Sequence, residues 1–195
     1  VNLRTQQDLR LKVVATDLAL GTTEIKRVKL QGSGSGASHT LMANVTLPKD
    51  RLSLQLQGRL KPASWQGQLQ QLTLATATAG HWQLQAPAAL TLSATEAQLA
   101  PSCLQHTRSV KFCTELSWRQ AANSKVVIEL SKLPLNIIQG LLPEEAVLTG
   151  TVNGKIAATL RSNGVIQADA LIKLSRGAFK TYLSEQPKEF AFDDS

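Results

Sequence analysis

Histidines are the side chains in this chain best suited to metal binding or proton transfer, and there are only three of them. His39, His81 and His106 are far apart in the sequence, and no two have the short spacing of a metal-ligand pair. Each lies beside the start of a predicted strand or in a predicted loop. The sequence therefore predicts no bound metal ion.

Acidic residues and nucleophile motifs give no better case for catalysis. Glu96, Glu115 and Glu129 stand alone on predicted polar strand faces. Neither the zinc-protease H-E-x-x-H motif, nor the G-x-S-x-G nucleophile elbow, nor a phosphate loop is present. We therefore expect a protein that is not an enzyme and that uses no cofactor.

The glycines of "GSGSG" at residues 32–36 formally match part of a dinucleotide-binding fingerprint. That fingerprint requires a helix immediately afterwards. Here "SHTLMANVTLP" follows, which alternates like a strand. The segment is therefore predicted to be a flexible loop or a hairpin tip.

The two cysteines have a spacing typical of a structural bond. Nine residues separate Cys103 from Cys113, which suits closure across a β-hairpin and is not a zinc-binding spacing. In the chain-entropy model such a loop stabilises by about 2.5–3 kcal/mol. The sequence predicts a Cys103–Cys113 disulfide and hence an oxidising compartment, with two reduced core cysteines as the alternative.

The elements that carry these residues are mostly strands. In "RLSLQLQGRL" (51–60) leucines alternate with Arg, Ser and Gln, so that a strand would have one apolar and one polar face. Similar alternation recurs about every ten to fifteen residues. A phase change at Gln70-Gln71 predicts a β-bulge or turn that keeps one apolar face.

One segment departs from this period. "LPLNIIQGLLP" (133–143) groups its apolar residues with helical spacing between two prolines, which predicts one short helix at about residues 134–142. It is interpreted as a helix packed on the sheet edge, with a partner-docking helix as the alternative.

Composition limits the partners. The chain has 195 residues, 31 of them Leu and 17 Gln, but only 4% aromatics. Its net charge of +7 is scattered rather than clustered with aromatics, which argues against nucleic-acid binding and leaves open a mild attraction to anionic membranes. No apolar run is long enough to span a bilayer. We expect residues 1–195 to be a single β-rich segment of a longer protein.

Several segments, taken in order, resemble the TamB family of AsmA-like bacterial envelope proteins. They are "SHTLMANVTLP", "LSLQLQGRL", "WQGQLQQLTL", "GHWQLQAPAALTLS", the two cysteines before "TELSW", "LSKLPLNIIQGLLP" and "LTGTVNGKIAATL". The resemblance covers roughly residues 30–175.

This resemblance implies a role in the Gram-negative envelope. TamB-like proteins are anchored in the inner membrane and cross the periplasm as a long β-sheet folded into a trough with an apolar inner face. They are implicated in phospholipid transport to the outer membrane and in outer-membrane protein assembly with a barrel partner, TamA. Expected partners are therefore phospholipid acyl chains, a TamA-type barrel and the rest of the same long chain.

The sequence thus predicts an all-β, strongly curved, antiparallel or meandering sheet that forms a β-taco-like apolar trough. Two alternatives stay open: a closed β-sandwich acting as an interaction or adhesin-like module, and a closed β-cup that carries single lipids. The residues expected to line the lipid groove are Leu41, Val45, Leu52, Leu54, Leu56, Leu60, Leu72, Leu74, Leu84, Leu90, Leu92, Leu116, Ile128, Leu130, Val152 and Ile156.

Overall fold

The structure, a computed structural model, describes residues 8–21, 23–107, 109–143, 145–182 and 188–193. Within these ranges the chain forms fifteen β-strands and one short 3₁₀ helix, Leu135–Leu141. The strands are β1 Asp8–Leu20, β2 Thr23–Ser35, β3 His39–Thr46, β4 Arg51–Leu60, β5 Ser64–Thr76, β6 Gly80–Leu84, β7 Ala88–Ser93, β8 Glu96–Gln105, β9 Lys111–Arg119, β10 Ser124–Pro134, β11 Ala146–Leu148, β12 Thr151–Leu160, β13 Ile166–Leu174, β14 Gly177–Thr181 and β15 Lys188–Phe192.

Twelve of these strands form one antiparallel sheet. Strands β1 to β5 follow one another as a meander, and β6 and β7 then pair side by side with both β5 and β8. The sheet continues through β9, β10 and β12 to β13. Its two edges, β1 and β13, do not pair with each other, so the sheet is open. The prediction of an all-β, curved antiparallel sheet is confirmed.

β-Bulges keep the alternating leucines on the same face of the sheet where the spacing in the sequence changes. Leu54 pairs with Leu72, but Leu56 pairs with Leu69, so β5 carries one extra residue there. That extra residue lies at Gln70, inside the predicted Gln70-Gln71 phase change, which confirms the bulge.

Two further bulges were not predicted. In β8 the pairing steps from Leu99 directly to Ser102 and passes over Pro101, which cannot donate to the ladder. In β10 it steps from Leu130 to Leu133, where Lys132 has a positive φ of 48°. Each extra residue returns the following apolar side chains to the face of the preceding ones.

The predicted short helix is present but differs in type. It is a 3₁₀ helix at Leu135–Leu141, and the side chains of Ile138 and Leu141 lie outside the described part of the chain. Gln139 holds it to the sheet edge: its Nε2 donates to the Ala146 carbonyl, and its Oε1 accepts from the Leu148 N–H at 3.3 Å. Packing on a sheet edge was the favoured interpretation of this segment.

A second, three-stranded sheet was not predicted. It has the order β11-β14-β15, and it is joined to the β12–β13 ladder at Gly150, whose φ is +108°. The Thr149 N–H donates to the Ala178 carbonyl and the Ser175 N–H donates to the Thr151 carbonyl, so the backbone bonding runs on across the joint.

The segment "GSGSG", predicted to be a flexible loop or a hairpin tip, leads into the turn of the β2–β3 hairpin, but the prediction is wrong for its first four residues. Residues 32–35 are the end of β2 and pair with β1 and β3, and only residues 36–38 form the turn. Strand pairing outweighs the flexibility of glycine here, because both neighbouring strands supply backbone partners.

The large sheet is not covered by a second layer. The chain exposes 13261 Å², whereas a compact monomer of this mass exposes roughly 9,000 Å². Among the described residues no large side chain is less than 2% exposed. Two sheets packed face to face would bury such side chains, so the closed-sandwich alternative does not describe this fold.

Candidate functional site

One face of the twelve-stranded sheet is apolar from strand to strand. Residues directly opposite in an antiparallel ladder share a face, and Leu54 lies opposite both Ala43 and Leu72. On the far side of β3, Ala43 faces Leu30, which faces Val13. This row of five apolar residues spans five strands without a polar interruption.

A second row shows that the face continues through the branched region. Leu90 of β7 faces Leu99, which faces Leu116, and Leu116 faces Val126 of β10. Val126 in turn faces Ala158 of β12. With strands about 4.8 Å apart, the eleven strands from edge to edge carry this face over about 48 Å, measured along the sheet.

The strand register places the whole predicted groove-lining set on this one face, which we call the apolar face. It comprises Leu41, Val45, Leu52, Leu54, Leu56, Leu60, Leu72, Leu74, Leu84, Leu90, Leu92, Leu116, Ile128, Leu130, Val152 and Ile156. Most of these side chains are half-buried, whereas Arg51, Ser53 and Gln57 on the opposite face are exposed.

Sequence reasoning left further members out of this set. Leu99 and Leu104 are on the same face only because of the bulge at Pro101. Pro101 itself could have revealed this bulge from the sequence, because a proline within a predicted strand indicates a bulge or an edge strand. Other additional members include Val13, Leu30, Leu69, Phe112, Val126, Leu133 and Leu160.

Where β4 ends and β5 begins, a tryptophan on the apolar face lies over a pair of glycines. Gly58 and Gly67 face each other across β4 and β5. A Cβ atom on Gly58 would lie 2.3 Å from Cζ2 of Trp65, and one on Gly67 would lie 2.5 Å from Cη2 of the same ring. The glycines therefore make the space that the indole ring fills.

The same tryptophan determines which ring nitrogen of the buried His39 accepts a hydrogen bond. The Trp65 Nε1–H donates to Nε2 of His39 at 2.7 Å, and Nδ1 of His39 is 2.8 Å from the Ser35 carbonyl. An indole N–H can only donate, so Nε2 accepts and Nδ1 carries the proton. His39 is 4% exposed, and its two nitrogens are both used within the protein, which leaves neither for a ligand.

Other polar groups on the apolar face are also satisfied internally. The Ser102 hydroxyl donates to the Thr114 carbonyl at 3.4 Å, and the Trp82 Nε1–H donates to the Ala79 carbonyl at 2.7 Å. Unpaired polar groups would have to be solvated and would interrupt an apolar surface. The face therefore offers non-directional apolar contact rather than placed hydrogen bonds.

The opposite face, which we call the polar face, carries the covalent and ionic contacts. Cys103 and Cys113 are bonded to each other across β8 and β9, which confirms the predicted disulfide. Along the same row, Glu129 of β10 forms an ion pair with Lys155 of β12 at 2.6 Å. The hydrogen bond to Glu129, followed by the charge of Glu129 and more weakly of Glu115, raises the pKa of Lys155.

A shallow depression of about 680 Å³ also lies on the polar face. Its lining includes Arg59 and several glutamines. The Gln70 amide donates to Oε1 of Gln68 at 2.9 Å and to Oε1 of Gln57 at 3.3 Å. Because these amides bond to one another, the depression presents few free groups for a specific ligand.

Metal-binding and membrane-spanning features are not found in the part of the chain that the structure describes. No group of three or more His, Cys, Asp or Glu residues there is arranged to hold a metal ion. None of the described helices has the length and apolar character needed to cross a bilayer. His81 and His106 meet only through backbone, with Nδ1 of His106 at 2.7 Å from the His81 carbonyl oxygen.

Comparison with known families gives a match that covers the whole chain. The family model described as "TamB, N-terminal domain" matches residues 1–195, a longer stretch than residues 30–175, which contain the similar segments. Neither a curated protein nor a solved structure shows significant similarity to the chain.

Proposed function

Because the chain belongs to the TamB family, we propose that it is a non-enzymatic segment of a periplasmic bridge whose apolar face holds phospholipid acyl chains on their way to the outer membrane. Members of this family act in the cell envelope together with an outer-membrane partner. In this proposal the full-length protein is anchored in the inner membrane of a Gram-negative bacterium, and residues 1–195 are one β-rich segment of it.

The observation that carries the proposal is the open apolar face. All sixteen residues predicted to line the groove lie on it, and no described large side chain is fully buried beneath a second layer. A protein that keeps such a surface open needs an apolar partner to cover it. Flexible acyl chains suit a surface of leucines, because neither side requires directional contacts.

The energetics suit passage rather than tight storage. A fully buried methylene gains about 0.8 kcal/mol on leaving water, and an acyl chain lying on an open face gains roughly half of that. A chain that comes from a bilayer starts in surroundings as apolar as leucine. Exchange from the bilayer to the open face therefore costs about 0.4 kcal/mol per methylene, so a lipid held there is readily released again.

Photo-crosslinking at neighbouring residues of β4 tests the proposal. Benzoylphenylalanine is placed at Leu54 on the apolar face, or at Ser53 on the polar face, of the chain produced in a Gram-negative periplasm. We expect mass spectrometry to find crosslinked phospholipid at position 54 and none at position 53. Equal crosslinking at both positions, or none at position 54 in a folded protein, would contradict the proposal.

Assembly of outer-membrane proteins with a TamA-type barrel is the other activity that the resemblance implies. It is compatible with the same open face, because an unfolded strand segment also presents apolar side chains. Crosslinks from position 54 to polypeptide instead of lipid would favour this second function.

A further inference from the structure

The first hairpin of the sheet extends beyond its neighbour. Strands β1 and β2 pair from Asp8↔Ser35 to Leu20↔Thr23, but β3 pairs with β2 only as far as Arg27↔Thr46. Four residues of each strand therefore lie past the last β2–β3 pair. At about 3.3 Å per residue, this two-stranded end, which we call the β1–β2 tip, projects about 13 Å.

One side of the β1–β2 tip is apolar, whereas the other side carries Asp17, Glu24 and Lys26. Leu20 is 73% exposed and Leu18 is 42% exposed. Leu18 pairs with Ile25, and Leu20 lies two residues further along the same strand face. Ile25 lies past the last described β2–β3 pair and is half-buried, so the exposed apolar surface of the tip belongs to Leu18 and Leu20.

Basic residues follow directly behind the apolar ones. Lys12, Arg27 and Lys29 line one depression of about 310 Å³ on the polar face. Within the described residues none of the three forms an ion pair. Arg27 is two positions from Ile25 on the same face of β2, or about 7 Å along the strand. The basic side chains therefore lie close to the apolar side chains of the tip.

We propose that the β1–β2 tip docks on the surface of an anionic phospholipid bilayer. Leu18, Leu20 and Ile25 would enter the interface between headgroups and acyl chains, while Arg27 and Lys29 meet the phosphates. The headgroup layer is about 5–8 Å thick on each side of a bilayer, which matches the step from Ile25 to Arg27. Apolar contact combined with basic charge is what holds peripheral proteins at such an interface.

Charge complementarity selects this occupant. Strands β1 and β2 together carry five basic residues against three carboxylates, a net charge of +2: Arg10, Lys12, Lys26, Arg27 and Lys29 against Asp8, Asp17 and Glu24. A protein partner would be expected to match the shape and the hydrogen bonds of the ribbon. A bilayer needs only an apolar end with net positive charge behind it, and the β1–β2 hairpin has both.

Vesicle binding of the 195-residue chain tests the proposal. We use vesicles of phosphatidylcholine alone and of phosphatidylcholine with 30% phosphatidylglycerol, and measure co-sedimentation. We expect binding to the anionic vesicles that weakens at high salt. Leu18→Ser with Leu20→Ser should weaken it at least tenfold, and Arg27→Gln or Lys29→Gln about fivefold each.

The hairpin between β12 and β13 provides the matched control. Val165 there is 51% exposed and lies near the single basic residue Arg161, whose side chain bonds to Gln167. Val165→Ser should leave vesicle binding unchanged. Equal losses for Val165→Ser and the leucine variant would show that the β1–β2 tip has no special role and would overturn the proposal.

An environment-sensitive label reports insertion directly. The chain contains two cysteines, and they are bonded to each other, so Leu20→Cys adds the only free thiol for an NBD label. Anionic vesicles should raise and blue-shift the fluorescence at position 20 but not at position 165 of Val165→Cys. No change at position 20 would overturn the proposal and would favour a protein partner for the tip.

Docking of the β1–β2 tip on a bilayer can be tested separately from lipid binding on the apolar face. The leucine variant of the tip should still crosslink phospholipid at position 54 when lipid is supplied in detergent micelles. Loss of vesicle binding with crosslinking retained supports the tip alone. Vesicle binding retained with crosslinking lost would contradict the proposal that the apolar face binds lipid and would support the proposal that the β1–β2 tip docks on a bilayer.

Discussion

The two faces of the large sheet are held by different kinds of contact. On the apolar face, side chains such as Leu54 and Leu72 shield one another and Trp65 packs onto two glycines. On the polar face the strands are joined by the Cys103–Cys113 bond and by exposed ion pairs. An open sheet therefore gains stability from side chains within one layer, and the apolar face stays available to a partner.

The largest expected effect tests how tightly the apolar face is packed. Gly67→Ala should lower the free energy of unfolding by about 3 kcal/mol, because overpacking forces the surroundings to move. The new Cβ would lie 2.2 Å from the Gln57 carbonyl oxygen and 2.5 Å from the Trp65 ring. Urea denaturation measures the change.

Gly154 is the matched control on the same face. There the nearest atom to an added Cβ is the Leu171 carbonyl oxygen at 3.3 Å. Gly154→Ala should change stability by less than about 1 kcal/mol, since the gain from a stiffer unfolded chain offsets slight crowding. Equal losses at both positions would mean that Trp65 does not set the packing.

The next effect belongs to the polar face. Replacing both cysteines, as Cys103→Ser with Cys113→Ser, should cost about 2.5 kcal/mol, because a loop of this size is no longer closed in the unfolded chain. Denaturation of the wild type with and without a reducing agent should give the same difference. A reducing agent that also destabilised the double variant would show that the effect has another origin.

A smaller effect compares the two faces at adjacent residues of β4. Leu54→Arg should cost about 1–2 kcal/mol and leave a cooperative transition, because the guanidinium can extend out of an open face and stay hydrated. Ser53→Arg should change stability by less than about 0.5 kcal/mol. Thermal melting followed by circular dichroism would show whether Leu54→Arg unfolds, as a closed core would require.

The smallest effect concerns the ion pair on the polar face. Since Glu129 raises the pKa of Lys155, Glu129→Gln should bring that pKa back towards the ordinary lysine value. A raised lysine pKa stabilises the folded state below the ordinary value, and this contribution is lost as the pH rises through the raised value. NMR titration of the Lys155 side chain should show the shift, with stability near pH 7 almost unchanged because the pair is exposed.

Much of the local structure could be predicted from the sequence. Period-two leucines in "RLSLQLQGRL" define a strand with two unlike faces, and the phase change at Gln70-Gln71 marks a bulge. The spacing of Cys103 and Cys113 suits a hairpin bond. These features depend on residues close together in the chain, so they can be predicted from local sequence patterns.

The tertiary structure alone decided which distant residues meet. Strand order places β6 and β7 side by side between β5 and β8, and no local pattern encodes that branch. His39 meets Trp65 across 26 residues of sequence at 2.7 Å, and the disulfide lies on the face opposite the leucines. The sequence sets which side of each strand is apolar, whereas pairing between strands decides that these sides join into one face and that nothing within the described chain covers it.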